Sequence, residues 1–191
     1  MAILYLLAAL LYLAVLVLFG LLHVRGGYSP IRHAVSDYGV GPTRSLFAAY
    51  ASAGIVAALL LGAAILAGGQ FPVRGGLYLL AMAAFRLGVL AFPTDIEGER
   101  LTRNGKLHYG FAIASFALTY MAIDVLHPIA LPLVADWARW VLSGLRWAVT
   151  LSLGGVVICL IPALRRVFGL FERIYLLSTA LWLGILASAM A

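Results

Sequence analysis

Four residues able to do chemistry stand within six positions near the start of the chain: His33, Ser36, Asp37 and Tyr38. They lie in YSPIRHAVSDYGVGPTRSLF (residues 28–47), flanked by Arg32 and Arg44 and bracketed by Pro30 and Pro42. His33 and Asp37 are four apart, a spacing that sets two side chains on one face of a helical turn. Asp95 and His108 add a second carboxylate and a second imidazole further along. Two histidines and two carboxylates can hold zinc or another divalent ion and activate a bound water for hydrolysis. His33, Asp37, Asp95 and His108 are therefore the candidate metal ligands. The spacing lacks the regularity of an HExxH or paired CxxC signature. In the competing structural reading, Asp37 caps a turn or pairs with an arginine, and His33 bonds a loop carbonyl.

Ser36 offers a different chemistry. With His33 or His108 as base and an aspartate as orienter it would be a nucleophile. No GxSxG elbow surrounds it, and a serine at such a place also serves as a helix cap. The candidate catalytic set is thus His33, Ser36, Asp37, Asp95 and His108. A basic set, Arg32, Arg44, Arg86, Arg100, Arg103, Lys106 and Arg173, could hold an anionic headgroup, because arginine forks match phosphate oxygens. Tyr38, Arg86, Asn104, Tyr109, Glu172 and Arg173 are the residues expected to bind substrate. Asp124 and His127, three apart, share a helix face, where the helix dipole favours His127 near a C-terminus. His23 and His108 could ligate haem as a pair, although without CxxCH there is no covalent attachment.

These residues must be positioned by elements that are mostly oil. Of 191 residues 64% are hydrophobic and 10% charged, with mean hydropathy +1.07. A soluble domain of that composition could not cover its core, so the chain reads as a polytopic membrane protein, one domain over residues 1–191. Residues 3–22 form an apolar run of about 30 Å as a helix, enough to cross the hydrocarbon. With no basic n-region, it reads as a retained span. Further spans are expected at residues 47–67, 77–92, 108–127, 141–164 and 174–190, with Pro93 ending the third and Pro128 the fourth. Residues 128–140 read as an interfacial stretch anchored by Trp137 and Trp140. The single Cys159 excludes an intramolecular disulfide and reads as a small buried apolar group.

The net charge of +6 is explained by location before any nucleic acid is invoked. With six spans, the first, third and fifth loops carry nine of the arginines and lysines, while Arg74 and Arg139 lie opposite. The positive-inside rule makes those loops cytoplasmic and both termini external, in a cytoplasmic (inner) membrane. The polar residues then converge on one face, Glu97 and Glu99 of the third loop among them. Arg86, seven residues before Pro93, would lie roughly 10 Å below that face. An arginine at that depth needs a partner, and Glu172, Asp37 or a lipid phosphate could be it.

YSPIRHAVSDYG with a following proline, FRLGVLAFPTD, GKLHYGFA and GLFERI, in that order, resemble the bacterial and archaeal six-span family known as domain of unknown function 998. More distantly they look like the eukaryotic group of damage-regulated autophagy modulators and GPI-anchor remodelling factors. The family resemblance implies six membrane helices and a polar site formed by the first and third loops. The distant group implies a link to lipids. The expectation is an all-α six-helix transmembrane bundle with a cytoplasmic-face polar pocket. It would recognise, and in an enzymatic version hydrolyse or remodel, a membrane lipid or other amphiphile. The alternative is a non-catalytic membrane protein whose polar cluster is an ion-pair network. Transport requires a polar through-path, for which the spans supply only Arg86, Arg146 and Asp124.

Overall fold

In a bilayer no water is at hand to satisfy amide groups, so apolar runs of this length settle as helices. The computed structural model, which describes residues 1–96 and 100–191, contains six long ones. They are α1 (Ala2–Arg25), α2 (Arg44–Gly68), α3 (Val73–Ala91), α4 (Arg103–Ala130), α5 (Asp136–Ile158) and α6 (Phe168–Ala189). Each is long and apolar enough to cross a membrane, and the chain is a multi-pass membrane protein. Among the described residues there is no strand. Short 3₁₀ turns lie at Val35–Gly39, Gly41–Thr43, Leu131–Leu133 and Pro162–Val167.

Neighbours in sequence pack side by side from α1 to α4, and α6 closes against α1 and α5. The α2–α3 pair is close because a Cβ at Gly76 would stand 2.9 Å from the Gly62 carbonyl oxygen, the small-residue contact that lets membrane helices approach. α2 ends at Gly69, whose φ of 68° is the left-handed cap that glycine adopts without strain. α6 and α2 are the most enclosed helices, with 61% and 50% of their apolar windows buried against 22% for α1. Leu7, Leu10, Leu13 and Val17 of α1 face outward, as lipid-facing residues do.

The expected boundaries move in three instructive ways. Pro128 does not stop the fourth helix but lies inside α4. In the last turn a proline forfeits only one amide bond, and the 3₁₀ turn at Leu131–Leu133 carries the chain on. The interfacial stretch is accordingly short, since α5 already begins at Asp136. α6 begins at Phe168, six residues earlier than expected, which moves Glu172 and Arg173 from a loop into its first two turns, both buried. Pro93 behaves as anticipated: it holds Phe92 extended (φ −110°, ψ 108°) just past the end of α3.

Candidate functional site

The first loop is folded, not slack. The 3₁₀ turn Val35–Gly39 buries Val35, Asp37 and Tyr38 and is tied to α6 through the backbone. The Val35 N–H donates to Glu172 Oε2 at 2.6 Å, and the Leu170 N–H donates to the Ile31 carbonyl at 3.1 Å. Arg173 completes the attachment. Its Nε donates to His23 Nε2 at 2.6 Å, its Nη1 to the His33 carbonyl at 2.5 Å and to the Gly169 carbonyl at 3.0 Å. Its guanidinium also lies 5.7 Å from the centre of the Tyr38 ring, a cation–π contact. His23 can accept because its Nδ1–H is committed to the Phe19 carbonyl at 2.7 Å. Tyr38 and Arg173, both expected to bind substrate, here join the first loop, a lid over the end of the bundle, to α6.

Beside this staple lies a cavity of about 50 Å³, walled by the 3₁₀ turn and by α2, α3, α4 and α6. Its polar lining is Ser36, Tyr50, Arg86, His108, Ser115 and Glu172. That volume holds a few waters or one carboxylate- or phosphate-sized group. His108 is 2% exposed, and its Nδ1–H donates to the Phe92 carbonyl at 2.9 Å. The Nε2 is therefore the ring nitrogen left for other partners. Pro93 holds that carbonyl in place by keeping Phe92 extended.

Arg86 is the anomaly. It projects from α3 into this cavity and into a second, smaller one of about 10 Å³ lined also by Tyr12, Thr119 and Thr179. Among the described residues no hydrogen bond or ion pair reaches its guanidinium; the ion pairs there are Arg139–Asp136 and Arg146–Asp124. It is surrounded instead by phenol groups, with Tyr12, Tyr50 and Tyr175 within its electrostatic reach. The Tyr12 hydroxyl is buried and has no hydrogen-bond partner. Room for the guanidinium comes from Gly54, where a Cβ would stand 3.0 Å from Nη1.

The family model described as Protein of unknown function (DUF998) matches residues 6–189. The chain belongs to this family. No curated protein and no solved structure matches it.

In this DUF998 member the expected site residues separate into two groups. Ser36, Arg86, His108 and Glu172 line the cavity, while the others are placed elsewhere. Asp95 accepts from the Thr102 N–H at 2.6 Å and from its hydroxyl at 2.9 Å, anchoring the chain as it enters α4. Asn104 is exposed on the first turn of α4. The Tyr109 hydroxyl accepts from Arg165 at 2.7 Å. Asp37 is 1% exposed inside the 3₁₀ turn, and the His33 ring lies against Tyr28, 5.2 Å between centres.

The metal set is therefore corrected. Among the described residues no three His, Cys, Asp or Glu side chains gather in a way that could hold an ion. Asp95 is bonded to Thr102 and His108 to the Phe92 carbonyl, while Asp37 is buried in the 3₁₀ turn and the His33 ring lies against Tyr28. The haem pairing fails as well, since His23 Nε2 receives the Arg173 guanidinium. Glu97 and Glu99 lie outside the described residues. Tyr50, Ser115 and Tyr12 were not anticipated. Ser115 was findable: it follows His108 by seven positions, two turns along one face of α4. Tyr50 and Tyr12 sit in Ala- and Leu-rich runs that carry no periodic signal.

Proposed function

We propose that this protein binds the anionic group of a membrane amphiphile at Arg86, with the apolar remainder of the ligand lying between helices. The observation that carries this is a guanidinium inside the membrane-spanning part of the bundle that no hydrogen bond or ion pair reaches among the described residues, although Glu172 lines the same cavity and gives one carboxylate oxygen to the Val35 N–H. A charge so placed is costly unless a partner arrives. A phosphate or carboxylate oxygen pair meets the arginine fork in the geometry it favours. The Tyr50 hydroxyl at the same cavity can donate to the group, whereas the Ser115 hydroxyl is given to the Ala112 carbonyl at 2.9 Å. By the positive-inside rule, the basic end faces the cytoplasm in the cytoplasmic membrane and both termini lie outside.

Binding is favoured over hydrolysis because only Ser36 and His108 of the five expected catalytic residues line the cavity. The second reading, a purely structural network, is supported by the Arg173 staple, and the two readings divide at Arg86. Native mass spectrometry of protein extracted gently from its own membrane tests them. Under the binding reading a stoichiometric lipid or other anionic amphiphile accompanies the parent protein and is lost from Arg86→Gln. A parent protein that is well folded and carries nothing sinks it.

A further inference from the structure

A ligand bound at Arg86 needs a way in, and the packing of α4 supplies one. α4 lies closely along α3 but only loosely against α5 and α6. Two more pockets follow one another along that seam. The middle one, about 20 Å³, shares Ser36, His108 and Glu172 with the Arg86 cavity. The outer one, about 360 Å³, shares Tyr109, Ile113, Leu160 and Phe168 with the middle one and opens at the surface beside Lys106 and Arg165. The three spaces form a file from the bundle surface to the Arg86 guanidinium. A Cβ at Gly110, on the outer pocket, would meet nothing within 4 Å, so the seam is open there.

We propose that this seam is the lateral entrance for an anionic amphiphile, and that Tyr109 with Arg165 is its latch. The inference rests on the Arg86 reading and adds the route. Tyr109 stands on the wall between the outer and middle pockets. It is held there by the Arg165 hydrogen bond of 2.7 Å, with the guanidinium 5.6 Å from its ring centre. Its ring meets His108 edge-on, 6.3 Å between centres, so a swing of Tyr109 opens the way next to the inner cavity's own histidine. Lys106 and Arg165 lie at the outer rim, where an anionic headgroup travelling in the interface meets them first. The outer walls, Leu101, Ile113 and Leu160, accept an acyl chain. A water-soluble anion would gain nothing from those apolar walls, which is why an amphiphile is the favoured occupant.

The test is exchange kinetics. Protein is placed in nanodiscs of phosphatidylethanolamine and phosphatidylglycerol, and the replacement of bound lipid by its deuterated counterpart is followed by native mass spectrometry. Tyr109→Phe and Arg165→Ala should speed exchange roughly fivefold to tenfold, the factor that one net hydrogen bond is worth. Gly110→Phe, which adds a ring to the outer pocket at a position where a Cβ meets nothing within 4 Å, should slow it by a similar factor while end-point occupancy is retained. Arg86→Gln separates the two readings, because it should abolish occupancy whatever the route. Unchanged rates in all three seam variants, with occupancy still dependent on Arg86, overturn the entrance and leave the site standing. Occupancy indifferent to Arg86 overturns both. An Arg86-dependent uptake of inorganic phosphate by a protein that retains no lipid overturns the lateral route in favour of access from water.

Discussion

Two arginines at the same end of the bundle have opposite surroundings. Arg173 on α6 is 8% exposed, and its guanidinium is engaged by His23, the His33 and Gly169 carbonyls and the Tyr38 ring. Arg86 on α3 is half-buried and faces two cavities without such a partner among the described residues. Residue type, charge and rough depth do not separate them. What separates them is whether the donors are spent. A guanidinium whose donors are spent holds the chain together, and one with donors in reserve is positioned to receive something else.

The comparison is broken or sharpened most strongly at Arg173. Arg173→Met takes the donor away from the part-buried His33 carbonyl and His23 Nε2, and should lower stability by about 2 kcal/mol or more. Thermal unfolding in detergent, followed by circular dichroism, reads this directly. Arg86→Met should behave in the contrary sense, staying within about 1 kcal/mol of the parent or exceeding it, because an isolated charge is replaced by an apolar chain. A collapse of the Arg86 variant as deep as that of Arg173 would erase the distinction.

Smaller effects refine it. Glu172→Gln keeps an acceptor for the Val35 N–H but loses the charge, and about 1 kcal/mol of stability should go with it. Asp95→Ala removes both bonds to Thr102. It should cost about 1 kcal/mol, as loss of a helix-end acceptor does, with faster amide exchange confined to the first turn of α4. The least costly probe is Cys159. It is 2% exposed, and burial pushes its thiol up, so little thiolate is present and maleimide labelling of the folded protein should be slow. Cys159 also lines the outer pocket of the seam beside Tyr109, so labelling should quicken in Tyr109→Phe, and an unchanged rate would count against the latch.

The spans were legible because twenty-odd apolar residues admit few alternatives in lipid, and the ordered motifs carried the family. Arg86 was legible as a cation in the wrong medium. What could not be read was facing. In an apolar helix the residues turned inward and outward are equally hydrophobic, so neither the inward turn of Glu172 and Arg173 nor the arrival of Tyr12 beside Arg86 left a periodic trace. The cluster of His33, Ser36, Asp37 and Tyr38 misled for a related reason. Adjacent residues in a 3₁₀ turn point in different directions, so Ser36 lines the cavity while Asp37 and Tyr38 pack into the lid.

The lid also sets an order on the making of the molecule. Val35 is 137 positions from the carboxylate that receives its amide, and Ile31 similarly awaits Leu170. A ribosome adding about 5–20 residues per second needs roughly ten seconds to bridge that distance. Throughout that interval the first loop has no sixth helix to fold onto, and the Val35 N–H lacks its Glu172 acceptor. The pocket is thus the last thing built. A chain arrested before α6 would lack the α6 wall of the cavity, Glu172 and Leu176, so a binding assay would score completed biosynthesis as well as affinity.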